Sequence, residues 1–429
     1  MGGWRERLAM SGCDLRAMAR AARAANQALA RATGEKKNAA LRAMAKAILD
    51  SHEPILAANA EDVAAATSEA HPPAFVDRLT LTVPRLEAMA RGLRQIAELP
   101  DPVGEITGMW RRPNGLQVGR MRVPLGVIGV IYESRPNVTA DAAGLCLKSG
   151  NAVILRGGRE ALRTNAAIGG ILAASVTSVG LPEASLAVVP TPDRAVVKEM
   201  LQLHHLIDLI IPRGGEELIR AVREGSTIPV IAHDKGVCHT YVDAGADLAT
   251  AAEIAYNAKV ERPGVCNAME TLLVHAEVAA AFLPGFVERL GRAGVEVRGC
   301  AKTRALVPGI RPATEEDWGT EYLDLVLSIR VVESFEEALA HIARHGSGLA
   351  EAIVTADHGR AMRFLREVDA GAVFVNASTR FTDGSEFGMG AEMGISTQKL
   401  HARGPMGLTE LTCQKFIVLG DGQVRDSRT

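Results

Sequence analysis

From Val127 onward, short aliphatic runs alternate with stretches of helical periodicity: Val127 to Ile131, Ala152 to Leu155, Leu186 to Val189 and Leu206 to Ile211. An apolar run that short, with no polar alternation, suits a strand covered on both faces, the condition of parallel sheets built from βαβ units. A second series begins near Tyr241 and continues through Thr271 to Val274, Leu325 to Val332, Ala352 to Val354 and Ala372 to Val375. Two α/β domains therefore fit a chain of 429 residues better than one. Ahead of the first series, Leu41, Met44, Ala45, Ile48 and Leu49 fall on one helical face, and Leu86, Met89, Leu93 and Ile96 repeat the pattern after start signals at Thr82 and Pro84. Between them and Val127, the stretch Gly104 to Val123 carries the turn Pro113-Asn114-Gly115 and predicts a protruding hairpin. Leu408 to Val424 also reads as strand and is expected to pair with that hairpin, within the chain or across a subunit boundary. Residues 1 to 9 read as an extension.

Charge and composition narrow the function. Lys plus Arg number 48 against 50 Asp plus Glu, so no net positive field exists to hold nucleic acid or an anionic membrane. Aromatics are 4% and glycines 42, so the core must be aliphatic with many tight turns. No apolar run approaches the roughly 18 residues that span a bilayer, and the first 30 residues read as a charged helix, not a secretion signal. The six cysteines are dispersed without CxxC or metal spacing, so reduced thiols, a cytoplasmic address and no metal are expected.

A single cysteine is most often a small buried hydrophobe, and Cys13, Cys146, Cys300 and Cys413 keep that reading. Cys266 differs. It lies in Arg262-Pro263-Gly264-Val265-Cys266-Asn267, a turn before an apolar strand, with Lys259 and Arg262 near in sequence. Neighbouring cations lower a thiol's pKa and so raise the fraction of nucleophilic thiolate. Cys238, in Lys-Gly-Val-Cys-His, is the local competitor. Glu133-Ser134-Arg135-Pro136-Asn137 follows the strand Val127 to Ile131 and should emerge at a sheet's carboxyl edge, where open sheets bind ligands. Asn137 is there either a turn residue or a side-chain donor to an oxyanion. Two glycine turns, Arg156-Gly157-Gly158 and Arg213-Gly214-Gly215, each join a strand to a helix. They are tight βα connections or phosphate cradles, and neither is a GxGxxG or P-loop.

Val123-Pro124-Leu125-Gly126-Val127-Ile128-Gly129-Val130 with Asn137, then Cys266, resembles the aldehyde dehydrogenase superfamily. Glu133 to Asp141, Arg262 to His275, Phe374 to Arg380 and Lys399 to Leu408 are similar to its γ-glutamyl phosphate reductase branch, and the likeness runs from about Leu15 to Val424. The resemblance implies an α/β fold with two parallel-sheet domains, one Rossmann-like for the cofactor and one catalytic, plus an oligomerisation hairpin. Residues 1–103 and 124–237 would form the NADPH-binding domain, 238–405 the catalytic domain, and 104–123 with 406–429 the hairpin and its strand. It further implies reduction of L-glutamyl 5-phosphate by NADPH through a cysteine thioester, giving L-glutamate 5-semialdehyde and phosphate on the route from glutamate to proline. Cys266 would be the nucleophile, and Asn137 with the Cys266 N–H the oxyanion donors. Arg156, Gly157, Gly158, Gly214 and Gly215 would lie along the cofactor, and Glu321 would hold the nicotinamide ribose.

One departure from the superfamily is informative. Where oxidising members carry Glu-Leu-Gly-Gly, it reads His233-Asp234-Lys235-Gly236, so the carboxylate that activates water is missing. That favours a reductase over oxidation of another aldehyde, which would need Asp234 as base, and over a non-catalytic scaffold. The substrate's charges call for Glu392 at the ammonium, Arg403 or Arg135 at the carboxylate, and Arg262 or Lys259 at the departing phosphate. A homo-oligomer and contact with the kinase that makes the labile substrate are the expected partners.

Overall fold

The structure is a computed structural model that describes residues 13–233 and 235–425. Among the described residues, five helices precede the first strand. Leu15–Leu29, Gly34–Asp50 and Val83–Glu98 begin at side-chain caps from Asp14, Thr33 and Thr82, each accepting a first-turn backbone N–H. The predicted faces are the buried ones: Leu41, Met44 and Ile48 on one helix and Leu86, Leu93 and Ile96 on another are at most 1% exposed. Each large side chain so buried contributes about 1.5–3 kcal/mol.

The hairpin follows as β1 (Ile106–Arg111) and β2 (Gln117–Pro124). The chain then enters β3 (Val127–Tyr132), β4 (Ala152–Gly157), β5 (Leu186–Val188) and β6 (Leu209–Arg213), all parallel in the order β5-β4-β3-β6. The apolar run from Leu206 becomes strand only at Leu209, because Asp208 closes the sheet's entry. Its carboxylate accepts from Val127 N–H at 2.7 Å and from both terminal nitrogens of Arg23 at 2.7 and 2.9 Å. Gly126 beside it has φ +132°, and a Cβ there would stand 1.9 Å from Asp208 Oδ2.

The second sheet comprises β7 (Cys238–Val242), β8 (Met269–His275), β9 (Glu296–Gly299), β10 (Arg311–Pro312), β11 (Val326–Val332), β12 (Ala350–Val354) and β13 (Ala372–Val375), in the order β10-β9-β11-β8-β7-β12-β13. Every pairing in it is parallel. One face packs on helices Leu248–Val260 and Ala276–Arg292 through Leu272, Val274, Leu283 and Leu290, and the other on Phe335–His345 and His358–Glu367 through Tyr241, Leu273, Ile342 and Phe364. β14 (Gly394–Ser396) pairs with β15 (Gly404–Met406), and β16 (Thr412–Leu419) lies antiparallel to β2. The expected pairing of hairpin and C-terminal strand is thus made within the chain.

The chain divides into two compact units. The first takes the described residues up to Ala232, Met389–Gly394 and those from Met406 onward, and so includes the three-stranded sheet β1-β2-β16. The second takes His233–Gly388 and Ile395–Pro405.

Candidate active site

In the first unit the chain moves from β3 to β4 and β5 on one side, then crosses to β6 on the other. Such a reversal places the ligand-binding crevice of an open sheet at the carboxyl ends of β3 and β6. There Glu133 N–H donates to Arg213 O at 3.0 Å and Glu133 Oε2 accepts from Gly215 N–H at 3.1 Å. Ser134 sits at φ +44°, held by Glu160 Oε1 on its N–H (2.6 Å) and hydroxyl (3.0 Å). Tyr132 and Asn165 brace the next turn through the Thr139 hydroxyl at 2.7 and 3.0 Å. This scaffold presents Asn137, exposed, as the first residue of helix Asn137–Lys148, with its Nδ2 donating to Asp141 Oδ2 at 3.0 Å. Arg135, on the same turn, is exposed.

The glycine turns are spatially constrained. A Cβ on Gly157 would meet Asn165 Nδ2 at 2.0 Å, one on Gly158 Glu160 Oε1 at 2.1 Å, and one on Gly214 Glu133 Oε2 at 2.4 Å, while Gly215 faces open space. Arg156 is 9% exposed, donates from Nη2 to Pro192 O at 2.9 Å, and leaves its buried Nε without a partner. Burial holds its guanidinium below the usual range against the opposing pull of Glu160, with Arg194 lowering it further and Glu133 and Asp193 raising it. A buried unpaired donor beside a second cation, behind glycines, fits the phosphate and ribose of a dinucleotide. Glu392 lies in this unit, partly buried.

In the second unit Cys266 stands on the turn between helix Leu248–Val260 and β8, partly buried. The turn is stapled from both sides. Asn267 Nδ2 donates to Thr382 O at 2.9 Å, Thr379 donates to Asn267 O at 2.8 Å, and Arg380 binds both Asn267 Oδ1 and, at 2.7 Å, Glu261. From the third side Gly236 presses on the backbone of Cys266, and Cys238 Sγ donates to its carbonyl at 3.4 Å. Cys238 is fully buried, and burial pushes its thiol well above the usual range, with Glu351 and Cys266 adding. It is a protonated donor to the turn, which removes it as competitor to Cys266.

Lys259 and Arg262 part company. Arg262 is exposed, whereas Lys259 is fully buried, 2.5 Å from Glu270 Oε2. Burial lowers the lysine against the opposing pull of Glu270, and raises the glutamate against that of Lys259. A substrate role for Lys259 finds no support in this placement. The pair instead anchors the loop of Glu321, because Glu270 Oε1 accepts from the N–H of Leu323, which sits at φ +54°. Lys235 secures the same loop by donating to Gly319 O at 2.7 Å. Arg403 pairs with Asp369 at 2.8 Å. The loops of Cys266, Glu321 and Gly236 all precede their strands, so this constellation lies at the amino edge of its sheet. Asp234 lies outside the described residues. Among the described residues no three His, Cys, Asp or Glu side chains cluster as a metal site, and no helix is long and apolar enough to cross a membrane.

Sequence reasoning missed Gly236, Glu270 and the Asn267–Arg380 staple. Only Glu270, an acid inside an apolar strand, left a readable sign.

The model of the aldehyde dehydrogenase family matches residues 8–305 and 318–417, and the chain belongs to that family. Within it, the chain is 58% identical over 404 residues to a gamma-glutamyl phosphate reductase of Moorella thermoacetica, covering 94% of this chain and 97% of that one. It is 55% identical over 412 residues to the same enzyme of Caldanaerobacter subterraneus, covering 96% and 100%. The crystal structure of gamma-glutamyl phosphate reductase from Thermotoga maritima superposes with a TM-score of 0.95 at 48% identity, covering 96% of this chain and 100% of that one.

Proposed function

We propose that this protein reduces L-glutamyl 5-phosphate with NADPH to L-glutamate 5-semialdehyde and phosphate, the second step from glutamate toward proline. The observation that carries the reading is the identity of 55% and 58%, over nearly the whole chain, to curated gamma-glutamyl phosphate reductases. Cys266 is the nucleophile. Its thiolate adds to the acyl carbonyl, and phosphate then leaves with the bonding electron pair and needs no proton, so the glutamyl group rests on sulfur as a thioester. The Asn137 amide and the Cys266 N–H are donors to the oxyanion of the addition. NADPH, when bound, would supply the hydride that brings the acyl group to the aldehyde level, and the C–S bond then breaks with its electron pair returning to sulfur, so that the semialdehyde leaves and the Cys266 thiolate is restored. Arg156 with Gly157 and Gly158, the turn Gly214-Gly215, and Glu321 are the residues that would hold it. The buried unpaired Nε of Arg156 and the charge of Arg194 support a phosphorylated ribose there.

Glu392 suits the substrate ammonium, exposed Arg135 the carboxylate and exposed Arg262 the phosphate. The sheet β1-β2-β16 leaves Ile106, Trp110, Phe416, Val418 and Leu419 39–63% exposed, which supports a homo-oligomer built on it. The lability of an acyl phosphate favours transient contact with glutamate 5-kinase, in the cytoplasm.

The reverse reaction tests the proposal. Semialdehyde, phosphate and NADP⁺ are mixed with the protein and near-ultraviolet absorbance is followed. Cofactor reduction that requires phosphate is the expected result, and reduction without phosphate would replace the reading with ordinary aldehyde oxidation. Cys266→Ser should abolish turnover while cofactor binding persists.

A further inference from the structure

Asn137 carries an amide whose usefulness depends on which way round it sits. With Nδ2 toward an oxyanion it stabilises negative charge, whereas turned by 180° about χ2 it offers Oδ1 and repels that charge. An exposed asparagine at a helix start has little to choose between the two, and its own N-terminal neighbour Pro136 supplies no side-chain cap. One turn along the same helix, Asp141 Oδ2 accepts from Asn137 Nδ2 at 3.0 Å. A carboxylate only accepts, so the flipped amide would set oxygen against oxygen.

Asp141 is not a casual surface neighbour. It is partly buried, and Gly92 on helix Val83–Glu98 has only the space of a missing side chain before Asp141 Oδ1, which lies 3.8 Å from where a Cβ would be. Arg213, at the carboxyl end of β6, is the cation whose field reaches it. Burial pushes its carboxyl up to about 6, against the lowering by the Asn137 amide and Arg213. A partly desolvated acid held at a cost, with the amide as its hydrogen-bonded partner, indicates that the contact has a use beyond stability.

We infer that Asp141 is a positioning residue: it takes one Nδ2 hydrogen of Asn137 and thereby leaves the other directed to the oxyanion. This rests on the oxyanion role proposed above for Asn137.

The test is a double-mutant cycle in the phosphate-dependent reverse assay. Asp141→Asn keeps the shape but can donate as well as accept, so it no longer distinguishes the two amide orientations, and Asp141→Ala removes the partner altogether. Each should lower kcat by about 10-fold or more with KM changed less than about 3-fold, since only a transition-state interaction is weakened. Asn137→Ala should lose roughly 10²- to 10³-fold. In the Asn137→Ala background, Asp141→Asn should change kcat by less than about 2-fold, because no amide remains to orient. A full additional 10-fold loss there, or unchanged kcat in both single Asp141 variants, overturns the inference. Wild-type kcat in Asn137→Ala alone would instead refute the oxyanion role of Asn137 and remove the basis of the inference. Melting curves establish that each variant is folded, and if Asp141→Ala fails to fold, the isosteric Asp141→Asn carries the test.

Discussion

Replacing Gly236 by alanine adds one methyl group against the backbone that carries the proposed nucleophile. The added Cβ would stand 1.9 Å from Cys266 O, 2.6 Å from its carbonyl carbon and 2.7 Å from its Cα. Carbon atoms do not approach backbone closer than about 3 Å, so the two segments must part by roughly 1 Å. The turn cannot yield freely, because Asn267 is tied to Thr382, Thr379 and Arg380, and the Cys238 thiol holds the Cys266 carbonyl. Overpacking of this kind costs about 1–3 kcal/mol of stability, and a 1 Å displacement of a reacting group costs on the order of 10²-fold in rate. Gly236→Ala should therefore melt a few degrees lower and lose about 10²-fold in kcat, with slowed alkylation of Cys266 by iodoacetamide read from a peptide map. Gly285→Ala is the control. On the exposed side of helix Ala276–Arg292 it meets nothing within 4 Å, so it should keep full activity and gain up to about 1 kcal/mol in stability. Native kcat and native alkylation rate in Gly236→Ala would refute the argument that the Cys266 backbone is held in one place by this approach.

Three further outcomes follow from the charges and the exposed sheet. Lys259→Met leaves Glu270 buried without its cation and should cost about 3–5 kcal/mol in urea unfolding, while Lys259→Met with Glu270→Leu should recover most of it. Burial alone would raise Asp317, but hydrogen bonds from Thr314, Arg298 and Tyr322 outweigh it and hold the carboxyl at about 2, below its usual 3.8. A depressed acid stabilises the fold above its unfolded pKa. The stability gap between the native chain and Asp317→Asn should thus shrink by about 2 kcal/mol as pH falls from about 4 to about 2, and a gap that stays constant contradicts it. Phe416, 63% exposed and edge-on to Trp110 at 6.5 Å, should matter for assembly: Phe416→Asp should shift light scattering to the mass of a single chain, and an unchanged mass refutes the sheet's role.

The parts of this molecule that are governed by local periodicity were legible in its sequence, and the parts governed by which residue ends up facing which were not. Short aliphatic runs announced β3 and β4 because strands buried on both faces have no polar side to show. Leu206 to Asp208 misled at one strand end, since the Asp208 carboxylate that closes the sheet finds its partners in Val127 and Arg23, far away in sequence. Cys266 could be singled out by its turn, but its rival Cys238 could not be dismissed until burial identified it as a protonated donor to the same turn. Lys259 and Arg262 look equivalent on paper, three residues apart. The end of helix Leu248–Val260 decides between them: Lys259, on its last turn, faces inward to Glu270, whose other partner, the Leu323 N–H, lies in a loop some fifty positions on, whereas Arg262 lies beyond the helix on the exposed turn. The edge of the sheet is equally hidden. A reader of strands expects chemistry at carboxyl ends, and Asn137 obeys, yet the turn of Cys266 and the loop of Glu321 both feed into the starts of β8 and β11. These strands lie side by side and parallel, so their preceding loops share an edge although more than fifty residues separate Cys266 from Glu321. Strand order, which no periodicity encodes, is therefore what brings the turn of Cys266 and the loop of Glu321 to one edge of the sheet.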